Sequence, residues 1–230
     1  MSNAPLTPET FDALRRLDAC TLADAIEHFH ERLRNEGFAD SRLRCLFPEL
    51  EPMLGYAATV KIRGSQPPTA ADPFPDRTDW WDYIETLPAP RVVVIQDIST
   101  HPGLGSLLGS VHVNILRALR VSGAITNGSV RDLPEARNLG FPLFASGVAV
   151  SHSYVHIVDF GSPVEVAGLK MKSGDLIHGD LHGVQSIPLS IAPQIPMAAG
   201  KLKEEERALI ALCRSPEFSL EKLRAAVNRK

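Results

Sequence analysis

Residues 91–98, which read RVVVIQDI, constrain the fold more than any other part of this sequence. A continuous apolar run of this length is typical of a strand that is buried on both faces of an α/β sheet. A glycine-rich stretch at 101–110 follows, then apolar residues with helical spacing at 111–120 and a second strand at 123–127, which Asn127-Gly128 would end as a turn. Strand, glycine loop, helix and strand make a βαβ unit, so we expect the 91–98 strand at the centre of the sheet.

The rest of the chain predicts one layered α/β domain over residues 1–230, with helical segments at both ends. We expect helix over 7–29, with a break and a new helix start at Thr21, and a strand over 55–64. The four prolines of 65–78 predict a loop. The other predicted elements are a helix at 80–87, short strands at 141–149, 153–160, 164–166, 175–179 and 184–187, and closing helices at 204–213 and 219–227.

The composition excludes a disordered protein, a collagen-like fibre and a coiled coil. The 230 residues are 44% hydrophobic and 22% charged, which is near the average for folded globular domains. A net charge of −3 offers no broad positive field for phosphates, so we expect no nucleic-acid partner. No apolar run has the length of a signal peptide or a membrane span, and the three cysteines lack the spacing of a zinc site or a disulfide framework. We therefore expect a cytoplasmic protein with no membrane partner.

The glycine-rich loop is the first candidate for chemistry. It leaves a buried strand and opens a helix, whose first backbone amides have no partner and attract a carboxylate or a phosphate. The spacing of Gly103, Gly105 and Gly109 misses a dinucleotide fingerprint by one residue, and the next strand ends in Asn127 instead of an acid, so a Rossmann site is not expected. The alternative is that these glycines only permit a tight turn and close helix packing.

The second candidate is Arg131-Asp132, which follows the next strand at the edge of the sheet where α/β proteins bind ligands. An arginine binds a carboxylate with two hydrogen bonds, and an aspartate holds a hard cation such as magnesium through oxygen. Together they suit a 2-oxo acid, whose enolate Arg131 would neutralise.

A purely structural interpretation of the same segment is equally consistent with the residues. Asp132 and Glu135 form a capping box, Pro134 suits a first helical turn, and Gly140 with Pro142 ends a helix. On this view Asp132 caps its own helix and has no catalytic role.

Two clusters of polar residues are weaker candidates. The segment SGDLIHGDLHGV holds Asp175, His178, Asp180 and His182, but its spacing indicates a hairpin with turn-forming aspartates instead of a metal site. His152 and His156 would share one strand face, and half-buried histidines with satisfied hydrogen bonds are the simpler explanation.

The run from Gly109 to Ala145 resembles the signature of the RraA-like family, which includes 4-hydroxy-4-methyl-2-oxoglutarate aldolases that also decarboxylate oxaloacetate. That signature is a glycine, followed at a distance by Arg-Asp and, three residues later, by an acid; here these are Gly109, Arg131, Asp132 and Glu135. The resemblance extends to 21–25, 55–60 and 174–188, and so covers nearly the whole chain.

The resemblance implies a layered α/β sandwich of the swivelling-domain type and a class II lyase that depends on Mg²⁺ or Mn²⁺. It implies a homotrimer or homohexamer, a small 2-oxo acid as substrate, sites at subunit interfaces, and an acid from a neighbouring subunit near the metal. Arg131 would stabilise the enolate, Asp132 would hold the metal and Glu135 would support them. The substrate would be bound by the Gly109 loop, at Gly109, Ser110, Val111 and His112, and by Arg131.

The sequence departs from the family at two positions. Aldolase members commonly have an acid where this chain has Ser110, and an aspartate where it has Asn127. Our hypothesis is that His112 compensates for Ser110. We therefore expect a lyase that forms pyruvate, with two alternatives: a non-catalytic regulator of a ribonuclease, which in this family tends to lack the aspartate after the arginine, and a metal-binding fold that has lost activity.

Overall fold

The computed structural model describes residues 6–69 and 78–228, in which strands and helices alternate from β2 to β5. The helices are α1 (Pro8–Arg15), α2 (Ala19–Glu27), α3 (Thr78–Thr86), α4 (Ser110–Ala118), α5 (Leu133–Asn138), α6 (Ile195–Arg214) and α7 (Leu220–Val227), with a 3-10 turn at Ala192–Gln194. The strands are β1 (Arg44–Cys45), β2 (Met53–Arg63), β3 (Arg91–Asp97), β4 (Val121–Val130), β5 (Leu143–Val148), β6 (His156–Phe160), β7 (Val164–Val166), β8 (Leu169–Met171), β9 (Leu176–Asp180) and β10 (Gly183–Ile187).

The main sheet has the strand order β1-β5-β4-β3-β2-β9-β10, which confirms the central position predicted for β3. Strands β2 to β5 run parallel, and Val93 of β3 lies between Ala58 of β2 and Ala124 of β4. Because β3, α4 and β4 follow one another with β3 parallel to β4, the predicted βαβ unit is confirmed. The outer strands are antiparallel, with β9 paired to the first half of β2 and β6 to its second half.

Each face of the parallel strands is covered. Helices α3, α4 and α5 pack on one face, where Trp80, Val113 and Ala136 are buried. A ribbon formed by β7 and β8 covers the other face, and helices α1, α2 and α6 pack together around the junction of β2 and β9. At the carboxyl ends of β3 and β4, the loop after β3 meets the residues that follow β4. This is a mixed α/β fold.

The predicted turn at Asn127-Gly128 is wrong, because β4 continues through both residues to Val130. The pairing register with β5 shifts between Thr126 and Ser129 instead. The Asn127 side chain stabilises this irregular stretch, since its Oδ1 accepts the Asp97 amide at 2.7 Å and its Nδ2 donates to the Asp97 carbonyl at 3.0 Å.

Three other local predictions need correction. Helix α2 begins after Asp18, whose carboxylate accepts the amide and the hydroxyl of Thr21, so Thr21 is not the helix start. His152 lies in a turn before β6 and does not share a strand face with His156. The helix expected at 204–213 is the second half of the longer α6.

Other predicted elements are present with shifted ends, including β2, α3, β5, β9 and α7, while β7 has the predicted bounds. The very short β1 and β8 have no counterpart in the prediction. Of the predicted proline-rich loop, 70–77 lies outside the described residues. None of the helices in the described ranges is both long enough and apolar enough to cross a bilayer.

Candidate functional site

The candidate site lies at the carboxyl edge of the parallel strands, where the loop after β3 meets the two residues after β4. That loop spans 98–109 and ends at Gly109, the residue before the first turn of α4. Its carbonyl at Leu108 accepts the backbone amide of Arg131 at 3.1 Å. Strand pairing between β3 and β4 therefore brings the Gly109 loop and Arg131-Asp132 together, as the sequence predicted.

Asp132 occupies the position before the first residue of α5, and Pro134 lies in the first turn, as the structural interpretation predicted. Asp132 makes no capping hydrogen bond with its side chain, however, so the predicted capping box is wrong. Its backbone is left-handed (φ 55°, ψ 42°), whereas a residue that caps through its side chain normally has extended backbone. Its carboxylate makes no hydrogen bond to α5. Instead Oδ2 accepts the amide of Ser110 at 2.9 Å. The carboxylate thus lies at the positive end of α4, on a neighbouring element of the fold.

Arg131 and Asp132 form a charged pair that is open to solvent. Nε of Arg131 lies 3.4 Å from Oδ1 of Asp132, and the side chains are 25% and 35% exposed. The Ser110 amide, and secondarily the Arg131 guanidinium, hold the pKa of Asp132 below its ordinary value. Asp132 is therefore ionised at neutral pH.

Gly109 is needed at this point for space and not for backbone conformation. Its φ of −140° and ψ of −172° are extended angles that any residue adopts. A Cβ at position 109 would lie 2.8 Å from Oδ2 of Asp132 and 3.4 Å from Cγ of Arg131. The absent side chain allows the charged pair to approach the start of α4.

The start of α4 presents the residues expected to bind substrate. The first amides of a helix have no acceptor within that helix, and here the Ser110 amide binds Asp132. Val111, the next residue, is exposed, and His112 is half-buried. Substrate contacts by Gly109, Ser110, Val111 and His112 remain predictions.

Glu135 lies beside the candidate site and contacts a neighbouring helix. Its Oε1 accepts Nδ2 of Asn114 at 2.9 Å, and the same Nδ2 donates to the Ser110 carbonyl at 2.9 Å. Glu135 therefore ties α5 to the first turn of α4. Asn114 had no predicted role; it lies on α4 four residues after Ser110, on the same face of the helix.

Asp97 and Ser129 also belong to the surroundings of the site, and the sequence analysis assigned them no role. The Asp97 side chain accepts the amides of Ser99 and Gly103, at 2.9 and 2.7 Å. The Ser129 hydroxyl donates to the Gly103 carbonyl at 2.8 Å. An acid that ends a buried strand directly before a glycine-rich loop was the available signal, because such loops expose amides that need acceptors.

The carboxylate of Asp132 suits a hydrated divalent ion. Within residues 6–69 and 78–228, no three His, Cys, Asp or Glu side chains are grouped to hold a metal. Magnesium does not need such a cage, because it usually keeps several waters and takes one or two carboxylates together with substrate oxygens. Asp132 meets this requirement, since it is ionised and, among the residues that the structure describes, its Oδ1 makes only a long 3.4 Å contact with Arg131.

The acidic and histidine cluster of β9 and β10 is structural, as predicted. Asp175 accepts the Lys172 amide at 2.7 Å within a turn, and Asp180 accepts the amides of His182 and Ala19, both at 2.8 Å. His178 is fully buried, and burial lowers its pKa to about 4, so its ring is neutral.

Comparison with known protein families gives one match that covers most of the chain. The model of a family described as RraA-like (Aldolase/RraA) matches residues 19–185. A protein of Halalkalibacterium halodurans named "Putative 4-hydroxy-4-methyl-2-oxoglutarate aldolase" is 27% identical over 104 residues, which cover 45% of this chain and 50% of that protein. The match thus spans half the length of that relative. An uncharacterized protein of Methanocaldococcus jannaschii is 31% identical over 160 residues, which cover 68% of this chain and 71% of the relative.

Solved structures with the same fold span nearly the whole chain. An uncharacterized protein from Pseudomonas syringae pv. tomato has a TM-score of 0.75 at 22% identity, with 98% of this chain and 97% of that chain covered. Streptomyces coelicolor RraAS2, described as an unusual member of the RNase ES inhibitor RraA protein family, has a TM-score of 0.68 at 21% identity, with 89% and 96% covered. At these identities the similarity shows a shared fold.

Proposed function

The chain belongs to the RraA-like family, and on that basis we propose that it is a divalent-metal-dependent lyase that cleaves a carbon–carbon bond of a 2-oxo acid and yields pyruvate. The observation that carries the proposal is the position of Asp132. Its left-handed backbone places an ionised carboxylate beside Arg131 and against the first amide of α4. The name of the H. halodurans relative supports an aldolase reaction.

Different residues of the site would contact different groups of the substrate. The amides at the start of α4, at Val111 and His112, would receive the carboxylate of the 2-oxo acid, because helix N-termini carry partial positive charge. Arg131 would lie beside the keto oxygen and balance the negative charge that develops there. Asp132 would hold Mg²⁺ or Mn²⁺, which when bound supplies a Lewis acid for that oxygen.

With oxaloacetate the bond between C3 and C4 breaks, and its electron pair remains with C3. Carbon dioxide leaves, and the other product is the enolate of pyruvate. Arg131 neutralises the enolate oxygen until water delivers a proton to C3 and pyruvate forms. In this reaction no side chain has to remove a proton.

An aldol substrate such as 4-hydroxy-4-methyl-2-oxoglutarate makes a further demand, because a base must take the proton of the C4 hydroxyl as the bond breaks. Ser110 stands where the aldolase members of the family carry an acid, and a serine hydroxyl is a poor base at neutral pH. We therefore expect oxaloacetate to react faster than the aldol substrate.

The test compares pyruvate release from the two substrates, with Mg²⁺ and with a chelator, for wild type and Asp132→Ala. The matched control is Asp159→Ala, since Asp159 is 34% exposed and also pairs with a cation, Lys61, at 3.0 Å. We expect chelation and Asp132→Ala each to lower turnover by at least about 100-fold, while the control keeps wild-type activity.

Two results would contradict the proposal. Turnover that is insensitive to both the chelator and Asp132→Ala would reject the metal mechanism. Inactivity of the wild type across a panel of 2-oxo acids would instead favour the non-catalytic regulator of a ribonuclease, the class to which the S. coelicolor structure is assigned. Inhibition of a ribonuclease by the purified protein would then be the measurement to make.

A further inference from the structure

Gly103 is held from both sides by buried or half-buried groups of the sheet. Its amide donates to Asp97 on β3 and its carbonyl accepts from Ser129 on β4. Its φ of +85° is left-handed, and a Cβ there would lie 2.8 Å from the Ser129 hydroxyl oxygen. Both peptide groups that flank the Cα of Gly103 are thus bound by side chains of β3 and β4, in a conformation that favours glycine.

The buried side chain of Asp97 binds the backbone of the loop. It is 3% exposed, and its two carboxylate oxygens accept the amides of Ser99 and Gly103, at 2.9 and 2.7 Å. Its own backbone is fixed by both ends of the Asn127 amide. A buried carboxylate that accepts backbone amides makes strong, charge-assisted bonds, so the loop is tied to β3 where it begins.

The fixed part of the loop leads directly to the site. Beyond Gly103, the Ser106 amide donates to the Ser151 carbonyl at 3.1 Å, and the Leu108 carbonyl accepts the Arg131 amide at 3.1 Å. The next residue but one, Ser110, donates its amide to Asp132. Hydrogen bonds therefore fasten this segment of backbone at Gly103, Ser106, Leu108 and Ser110, from Asp97 to the charged pair.

We propose that Asp97 is a positioning residue, which by holding the loop at Ser99 and Gly103 sets the start of α4 against Arg131 and Asp132. This inference rests on the proposed function, because it assigns the loop the task of aligning the amides that receive substrate with the carboxylate that holds the metal. Asp97 itself touches neither the substrate nor the metal. An error of about 1 Å in such an arrangement costs about 100-fold in rate.

The decisive variant is Asp97→Asn, in which an NH₂ group replaces one of the two acceptor oxygens and faces a backbone donor. Asp180→Asn is the matched control, because Asp180 is also buried and also accepts two backbone amides, those of Ala19 and His182. Asp180 ends β9 one residue after Gly179, which pairs with Met53 at the start of β2, so Asp180 lies at the sheet edge opposite the site. Both variants lose a comparable hydrogen bond, but only Asp97→Asn loses one that holds the loop.

Two measurements separate positioning from general stability: the hydrogen exchange of residues 103–113, and the kcat and KM for oxaloacetate at a temperature where both variants are folded. For Asp97→Asn we expect faster exchange in 103–113, and a fall in kcat/KM of at least tenfold, which corresponds to about 1.4 kcal/mol. KM should rise and kcat should fall, since the loop leads into the first turn of α4, which carries both the amides proposed to bind substrate and the amide that binds Asp132. Asp180→Asn should leave exchange in 103–113 and kcat/KM within twofold of wild type (~0.4 kcal/mol).

A second variant protects the test against a failure of Asp97→Asn to fold. Ser129→Ala removes only the bond to the Gly103 carbonyl, and we expect the same changes at smaller amplitude. The inference is overturned if exchange in 103–113 is unchanged in Asp97→Asn, or if Asp97→Asn is as active as Asp180→Asn. A wild type that is inactive on every 2-oxo acid would refute the proposed function, and the exchange measurement would still decide whether Asp97 positions the loop.

Discussion

Gly109→Ala tests the geometry of the site with the smallest possible change. The backbone angles of Gly109 accommodate alanine, so the substitution adds one methyl group without conformational strain. That methyl would lie 2.8 Å from Oδ2 of Asp132, and ordinary contacts begin at 3.4 Å. The carboxylate must therefore retreat by about 0.6 Å.

This shift of the Asp132 carboxylate should lower kcat/KM. It would lengthen the 2.9 Å bond from the Ser110 amide to at most about 3.5 Å, and so weaken it, because N–H···O bonds are usually about 2.7 to 3.2 Å long. A hydrogen bond to a charged group contributes about 1.5 to 3 kcal/mol, so we expect kcat/KM for oxaloacetate to fall by about 10- to 100-fold. The free energy of unfolding should change by less than about 2 kcal/mol, because alanine also restricts the unfolded chain.

The assay is pyruvate release with saturating Mg²⁺, with denaturant unfolding measured on the same protein. Gly200→Ala is the control, since Gly200 lies in α6 and a Cβ there meets no atom within 4 Å. It should raise helix stability by about 1 kcal/mol and leave kcat/KM unchanged. Wild-type kcat/KM in Gly109→Ala would refute the argument that Asp132 must lie against the Ser110 amide.

Asp132→Asn should keep the fold, because asparagine tolerates left-handed backbone and its oxygen can still accept the Ser110 amide. It should lower pyruvate release by at least about 100-fold, because the negative charge proposed to hold the metal is lost. Activity near wild type would contradict a role for that charge. Glu135→Gln keeps an oxygen that accepts Asn114, so its kcat/KM should stay within about twofold of wild type. Glu135→Ala removes that acceptor, and its kcat/KM should fall by a factor of about two to ten. Equal kinetics for the two variants would show that Glu135 does not support the site. Burial lowers the pKa of His178 from 6.5 to about 4, so below pH 6.5 the unfolded chain binds a proton that the folded chain does not accept until about pH 4. The free energy of unfolding should therefore fall by about 1 to 3 kcal/mol as the pH drops from 6.5 to 4, and His178→Leu, followed by urea titration, should remove most of that fall.

Apolar patterning predicted the elements that carry most of the fold. The run at 91–98 could be assigned to a central strand because a strand covered on both faces needs apolar residues on both, and β3 is buried along almost its whole length. The short strands β1 and β8 were missed because apolar patterning cannot detect strands of two or three residues. Two or three residues are too few to show a period, and they are strands only because a partner strand lies beside them.

The errors near the site have a common cause, which is that a distant residue overrides a local rule. Asn127-Gly128 has the composition of a turn, yet the Asn127 amide binds the backbone of Asp97, thirty residues away, and the strand continues. Asp132 and Glu135 have the spacing of a capping box, yet their carboxylates bind the amide of Ser110 and the side chain of Asn114 on α4. Local sequence rules cannot include partners that only the fold brings close.

The convergence of Gly109, Arg131 and Asp132 could be predicted because the carboxyl ends of neighbouring parallel strands meet at one sheet edge. The roles of Asp97 and Ser129 could not. Each depends on a backbone amide or carbonyl of Gly103, and the sequence does not show which loop peptide lies within reach of which side chain.

The most direct test of the account is the binding of oxalate, a planar analogue of the pyruvate enolate, measured by titration calorimetry with Mg²⁺ and with chelator. If Asp132 holds the divalent ion, wild type should bind oxalate in the presence of Mg²⁺ and should lose at least tenfold in affinity without it, which is about 1.4 kcal/mol. Asp132→Asn should bind oxalate equally weakly under both conditions. Oxalate affinity that is the same with and without the metal in wild type would contradict the central claim that Asp132 presents a divalent ion to a 2-oxo acid.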